Sequence, residues 1–187
     1  MQTNQFLTAL CRQLRNLVRA AVCLAAALLL PFLTGQIPQI GSALCPMHIP
    51  ILLAGFLCGP GWAAAAGLIA PPLRYLLFGM PPLFPTGVAM SFELAAYGLA
   101  AGLLYRCFRG RRGEFYLSLI PAMLAGRLVW GAVRALLSGV ADAPFTWGAF
   151  WAGAFVNAVP AIILHILIIP PLAMALKRAG VIPAKSR

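Results

Sequence analysis

Four ionisable side chains interrupt long apolar runs in this chain: Arg74, Glu93, Arg127 and Arg134. Charges at membrane depth are costly, and they face a bundle interior or a water-filled cavity. On helices, Arg127, Trp130 and Arg134 share one face at i, i+3 and i+7, and Met90, Glu93 and Tyr97 share another. The arginine fork suits a carboxylate or phosphate, and three arginines against one glutamate would make an electropositive pocket. Asn157 would add an amide from the last apolar run. The chemistry implied is non-covalent capture of an anionic or strongly polar ligand inside the bilayer. A structural alternative is a Glu93–Arg127 ion pair fastening two helices, with Arg74 and Arg134 snorkelling to headgroups. In that alternative Asn157 makes an interhelical hydrogen bond, His48 starts a helix, and His165, near the inner boundary, is structural.

The elements that must position these residues are membrane helices. Of 187 residues, 62% are hydrophobic and 9% charged, with mean hydropathy +0.92. Soluble domains carry about 25% charged residues. Apolar runs of the length needed to span a bilayer recur along the chain, and the alternation of a membrane β-barrel is absent. The reading is an all-α integral membrane protein of one domain.

The formal charge of +11 would suit nucleic acid, but its distribution points elsewhere. Arg12, Arg15 and Arg19 precede or begin the first apolar run; Arg106, Arg109, Arg111 and Arg112 form a second cluster, and Lys177, Arg178, Lys185 and Arg187 a third. Lys and Arg concentrate in short cytoplasmic loops, and attraction to anionic headgroups accounts for the remaining excess. No nucleic-acid partner is expected. Placing all three clusters inside predicts a six-helix bundle with both termini cytoplasmic. Its spans are 17–34, 47–60 (short, broken or tilted), 61–79 (interrupted by Pro71-Pro72), 85–105, 114–138 and 147–176. Residues 1–16 read as an amphipathic interfacial segment, 17–176 as the membrane domain and 177–187 as a basic tail. Helical rise puts Glu93 roughly 12–15 Å, Arg127 roughly 15–18 Å and Asn157 about 15 Å below the outer boundary. Arg74 and Arg134 lie within roughly 10 Å of it. Trp147 and Trp151 fit an outer aromatic belt.

Cysteines at 11, 23, 45, 58 and 107 form no CxxC pair and read as small apolar fillers. His48 and His165 are too isolated for a zinc site, so neither metal nor cofactor is expected. Without a phosphate-binding glycine loop, nucleophile elbow or paired carboxylates, neither an enzyme nor an ATPase is expected, and energy coupling must come from a partner.

The segment Pro46-Met47-His48-Ile49-Pro50-Ile51-Leu52-Leu53-Ala54-Gly55-Phe56-Leu57-Cys58-Gly59-Pro60 resembles the run after the first span in the substrate-binding S components of energy-coupling factor (ECF) vitamin transporters. Leu76 to Pro85 and the Phe92-Glu93-Leu94 region continue the likeness, which covers about residues 17–176. It implies a prokaryotic plasma-membrane protein that captures a micronutrient at the outer face. The implied partners are a membrane coupling subunit and two cytoplasmic ATPases. Ala21-x-x-x-Ala25 matches the small-residue surface that meets the coupling subunit. Gln36, Gln39 and Ser42 would belong to a lid, with His48 at the pocket rim. The chain lacks the GPTGGY-like segment of biotin-type members, and has His48-Ile49-Pro50 where riboflavin-type members carry an acid. Pantothenate, a cobamide, a queuosine precursor or another vitamin stay open, and the expected positive pocket leans towards pantothenate.

Other classes remain open on the residues alone. A stand-alone secondary transporter would need more than one Glu–Arg set and shows no clear inverted repeat. A lipid-modifying enzyme would rest on Glu93 or His48 as a lone base, and a purely structural subunit would bind no small molecule.

Overall fold

A computed structural model describes residues 2–34, 44–138, 146–156 and 158–182. The described residues form helices and turns, with no strands among them. Helix α1 runs Gln2–Leu29 and tightens into a 3-10 turn at Leu30–Thr34; α2 is His48–Leu57 and α3 is Pro60–Phe78. A π turn at Leu83–Gly87 leads into α4, Val88–Phe108. Then come α5, Glu114–Ser138, the short α6, Trp147–Trp151, a π turn at Ala152–Val156, and α7, Val159–Arg178.

Four of these elements are long and apolar enough to cross a membrane: α1 with its extension, α4 with its preceding turn, α5 and α7. Helix α2 has ten residues and rises only about 15 Å. In α3, prolines, glycines and Arg74 dilute the hydropathy. Two expectations change. Pro71 and Pro72 lie inside α3 rather than interrupting it; proline fixes a φ close to the helical value, so the path survives the loss of two ladder hydrogen bonds. The run 147–176 is not one helix, because a π turn follows α6 and α7 starts afresh at Val159. The proposed boundary between an interfacial segment and a first span falls within the uninterrupted α1.

Small residues set the packing of α2, α3 and α4. The latter two run antiparallel with main chains nearly touching. A Cβ on Gly67 would stand 2.5 Å from the Leu94 carbonyl, one on Gly98 2.6 Å from that of Ala63, and one on Gly102 2.7 Å from Pro60. Gly55 brings α2 onto the same α4 surface, where its Cβ would sit 2.9 Å from Ala101 and from the Gly102 nitrogen. Small residues are what permit such approach between helices in lipid, where van der Waals packing drives association.

The basic clusters converge at one end of the bundle. Arg19 Nη1 donates to the Leu57 carbonyl at 3.2 Å, and Gly59 lies beside Arg106. Lys177 at the end of α7 pairs with the buried Glu114, which also accepts from the Gly110 N–H at 2.6 Å. Phe56, Tyr105 and Phe115 pack between α2, α4 and α5 with centroids 5.3–5.4 Å apart.

Candidate functional site

Glu93 sits on the α4 face that also carries Tyr97, one turn on. Its Oε1 lies 2.9 Å from Arg127 Nη1 of α5 and accepts from Tyr97 Oη at 3.1 Å. His48, the first residue of α2, brings Nε2 to 3.6 Å from the same oxygen. Its ring meets Tyr97 edge-on, with centroids 5.2 Å apart, and stacks on His165 of α7 at 5.9 Å. Arg127 Nη2 reaches Cys45 Sγ at 3.9 Å, and the Cys45 carbonyl accepts the His48 N–H at 3.0 Å. Four helices and the turn before α2 therefore meet at one polar cluster. Gly126 makes room for it, because any side chain there would run into the Tyr97 ring.

The cluster is buried: His48, Glu93 and Tyr97 are each 1% exposed, His165 2% and Arg127 7%. Buried polar groups are nearly always hydrogen-bonded, and exceptions point to strain, function or a missing partner. Here Nδ1 and Nε2 of His48, Nε of Arg127 and Nε2 of His165 have no hydrogen-bond partner. Counting helical rise, Glu93 lies about 20 Å from Arg106, Arg127 about 20 Å from Glu114, and His165 about 18 Å from Lys177. The cluster thus occupies the half of the bundle remote from the basic end.

Glu93, Arg127 and His48, anticipated as site residues, come together. Arg74 goes elsewhere: its Nη1 donates to the Leu28 carbonyl at the end of α1 at 2.5 Å, and its guanidinium lies 5.4 Å from the centroids of both Phe32 and Phe78. Trp130 packs on the turn at Gly153. Arg134, half-buried, is two turns beyond Arg127 on α5. Asn157, with the lid residues Gln36, Gln39 and Ser42, lies outside the described residues. The described contacts thus do not gather three arginines around Glu93, and the Glu93–Arg127 pair is formally neutral.

His165 is a correction. It was expected near the inner boundary, but the break before α7 and the helix's run to Arg178 lift its ring to the level of His48. Cys45, read as filler, touches Arg127. The available sequence signal was rarity: these are the chain's two histidines, and both fall in apolar surroundings.

Ala21 and Ala25 are exposed on α1, next to the exposed Val18 and Val22, while Ala20, Cys23 and Ala27 face inward.

A family model described as "ECF transporter, substrate-specific component" matches residues 15–173. No curated protein and no solved structure matched the chain.

Proposed function

This chain belongs to the substrate-specific components of ECF transporters, and from that premise we propose that it captures a vitamin or related micronutrient at the outer face of a prokaryotic plasma membrane. Members of this family are membrane transport proteins that bind substrate, and they are not enzymes. The observation that carries the finer reading is the buried His48–Glu93–Arg127–His165 cluster with its four unpartnered nitrogens. A polar site remote from the basic, inward-facing end is where a ligand arriving from outside would be held. Arg134 and Trp130, further along α5, would line its approach. Arg74 is assigned to holding α1.

In this reading α1, α2, α3, α4, α5 and the α6–α7 pair make six passes, with both termini cytoplasmic. The convergence of Arg19, Arg106 and Lys177 at one end supports that orientation through the positive-inside rule. The exposed Ala21–Ala25 face meets a membrane coupling subunit, whose two cytoplasmic ATPases drive uptake. The small side chains allow close helix approach.

Native mass spectrometry of the protein purified gently from cells in rich medium tests the binding role. The expected result is a discrete small-molecule increment, reduced in Arg127→Ala and Glu93→Ala variants. A protein that stays bare after incubation with a vitamin panel would refute it. Uptake that proceeds without any ATPase and collapses with the proton gradient would move the chain to the secondary transporters. Ala25→Trp should abolish co-purification with the coupling module while sparing substrate binding.

A further inference from the structure

We propose that the substrate meets the buried cluster as a neutral nitrogen heterocycle, presenting an edge of N–H donors and one carbonyl acceptor to His165, His48 and Arg127. The inference rests on the substrate-binding reading above and narrows it. Two observations carry it: the charge balance of the cluster, and the identity of the atoms left without partners.

The cluster itself offers no free counter-charge to a net anion. Glu93 is held by Arg127 at 2.9 Å and by the Tyr97 hydroxyl at 3.1 Å, while Arg74 is engaged by α1. With the pair closed on itself, a buried carboxylate or phosphate from a ligand would add an uncompensated charge, which is strongly unfavourable.

The orphaned atoms then define the complement. Neutral imidazole has one donor nitrogen and one acceptor nitrogen. His165 directs a ring nitrogen to the main-chain carbonyls of Leu44 and Cys45, so its unpartnered Nε2 carries a lone pair. His48 Nε2 faces the Glu93 carboxylate at 3.6 Å; the proton belongs on that nitrogen, and the unpartnered Nδ1 is again an acceptor. Arg127 Nε–H, also unpartnered, is a donor. Two acceptors and one donor on three helices match a ligand edge carrying two N–H groups and a carbonyl. Cyclic ureas and amino-oxo heterocycles have such edges, and a plain carboxylate does not. The rings of His48, His165 and Tyr97, already in aromatic contact, suit a planar occupant.

The test uses the full-length protein in lipid nanodiscs and two sets of probes. One set holds a pterin, an aminopyrimidinone and an imidazolidinone; the other holds nicotinate, lipoate, pantoate and 4-hydroxybenzoate. Calorimetric titration should show binding of at least one heterocycle and of no carboxylate. N-methylation of the bound heterocycle's ring N–H should weaken it by about 5- to 150-fold, since an unmet buried acceptor costs about one to three kcal/mol and 1.4 kcal/mol is tenfold. His165→Phe keeps the stacked ring, loses the lone pair, and should weaken the heterocycle similarly. The methylated probe decides the matter on the parent protein even if that variant does not fold. Preference for a carboxylate, or equal affinity for the methylated and parent heterocycles, overturns the inference and leaves the binding role standing. Binding of no probe, together with a bare protein in native mass spectrometry, overturns both.

Discussion

The Glu93–Arg127 pair makes a prediction that separates an ion pair from mere proximity. Both side chains are nearly inaccessible, 2% and 9% exposed, and their charged atoms are 2.9 Å apart. Removing one partner of a buried pair leaves an uncompensated charge and costs about 3–5 kcal/mol, whereas replacing both by neutral groups of similar volume is close to neutral. Glu93→Gln and Arg127→Met keep the shape and isolate the charge. For a chain of this size each kcal/mol moves the melting temperature by about 2–4 °C, so each single variant should melt about 6–20 °C below the parent. The double variant should recover most of that loss, giving a coupling energy of about 5–10 kcal/mol, the sum of the two single losses less the small cost of the double. Thermal unfolding in detergent, followed by fluorescence-detected size exclusion with ligand absent, reads all four corners of the cycle. Additive effects of the two singles would refute the argument, because they would mean that each charge is compensated independently of the other.

Three further outcomes follow from the packing. Gly67→Ala should destabilise by about 1–3 kcal/mol through overpacking, because its Cβ would lie 2.5 Å from Leu94 main-chain atoms. Gly61→Ala, in the same helix with nothing within 4 Å, should be neutral or gain up to about 1 kcal/mol of helix propensity; comparing the two melting curves checks the pair. Arg74→Ala should lower the melting temperature by about 3–12 °C, through loss of a charged hydrogen bond at the end of α1, with substrate affinity in calorimetry unchanged. Glu114→Ala should release both Lys177 and the Gly110 N–H and cost about 1.5–3 kcal/mol. It too should leave affinity unchanged, the site being some 20 Å away.

What the sequence made legible was governed by local rules. Apolar run lengths located α4 and α5 closely, since span length is fixed by bilayer thickness. The Glu93–Tyr97 face was readable because i, i+4 spacing is a property of one helix. What could not be read depended on relations between helices. In the apolar run from Trp147 the restart at Val159 is signalled by Pro160 in the first turn of α7, a local cue that does not by itself match His165 to His48. Arg74 and Arg127 are both arginines in apolar runs. Which one turns inward to Glu93 and which caps α1 follows from helix rotation, and composition leaves rotation undetermined. The Gly98-x-x-x-Gly102 surface, by contrast, is present in the sequence as the same kind of spacing as Ala21-x-x-x-Ala25 on α1.

The glycine seam joining α2, α3 and α4 divides the bundle mechanically. Its contacts are largely main chain against main chain, and atoms of that kind have no rotamers to re-sort. The three helices therefore behave as a rigid frame with one stop and no travel. Helices α5 and α7 reach the site through the long side chain of Arg127 and the ring of His165, and α7 is clasped again at its far end by Lys177. Side-chain contacts can lengthen, rotate and exchange partners; α5 packs along the length of α4 whereas α7 touches its neighbours sparsely, so the slack among the described helices is concentrated at α7. A ligand that needs more room than the closed cluster offers has one compliant side to push against.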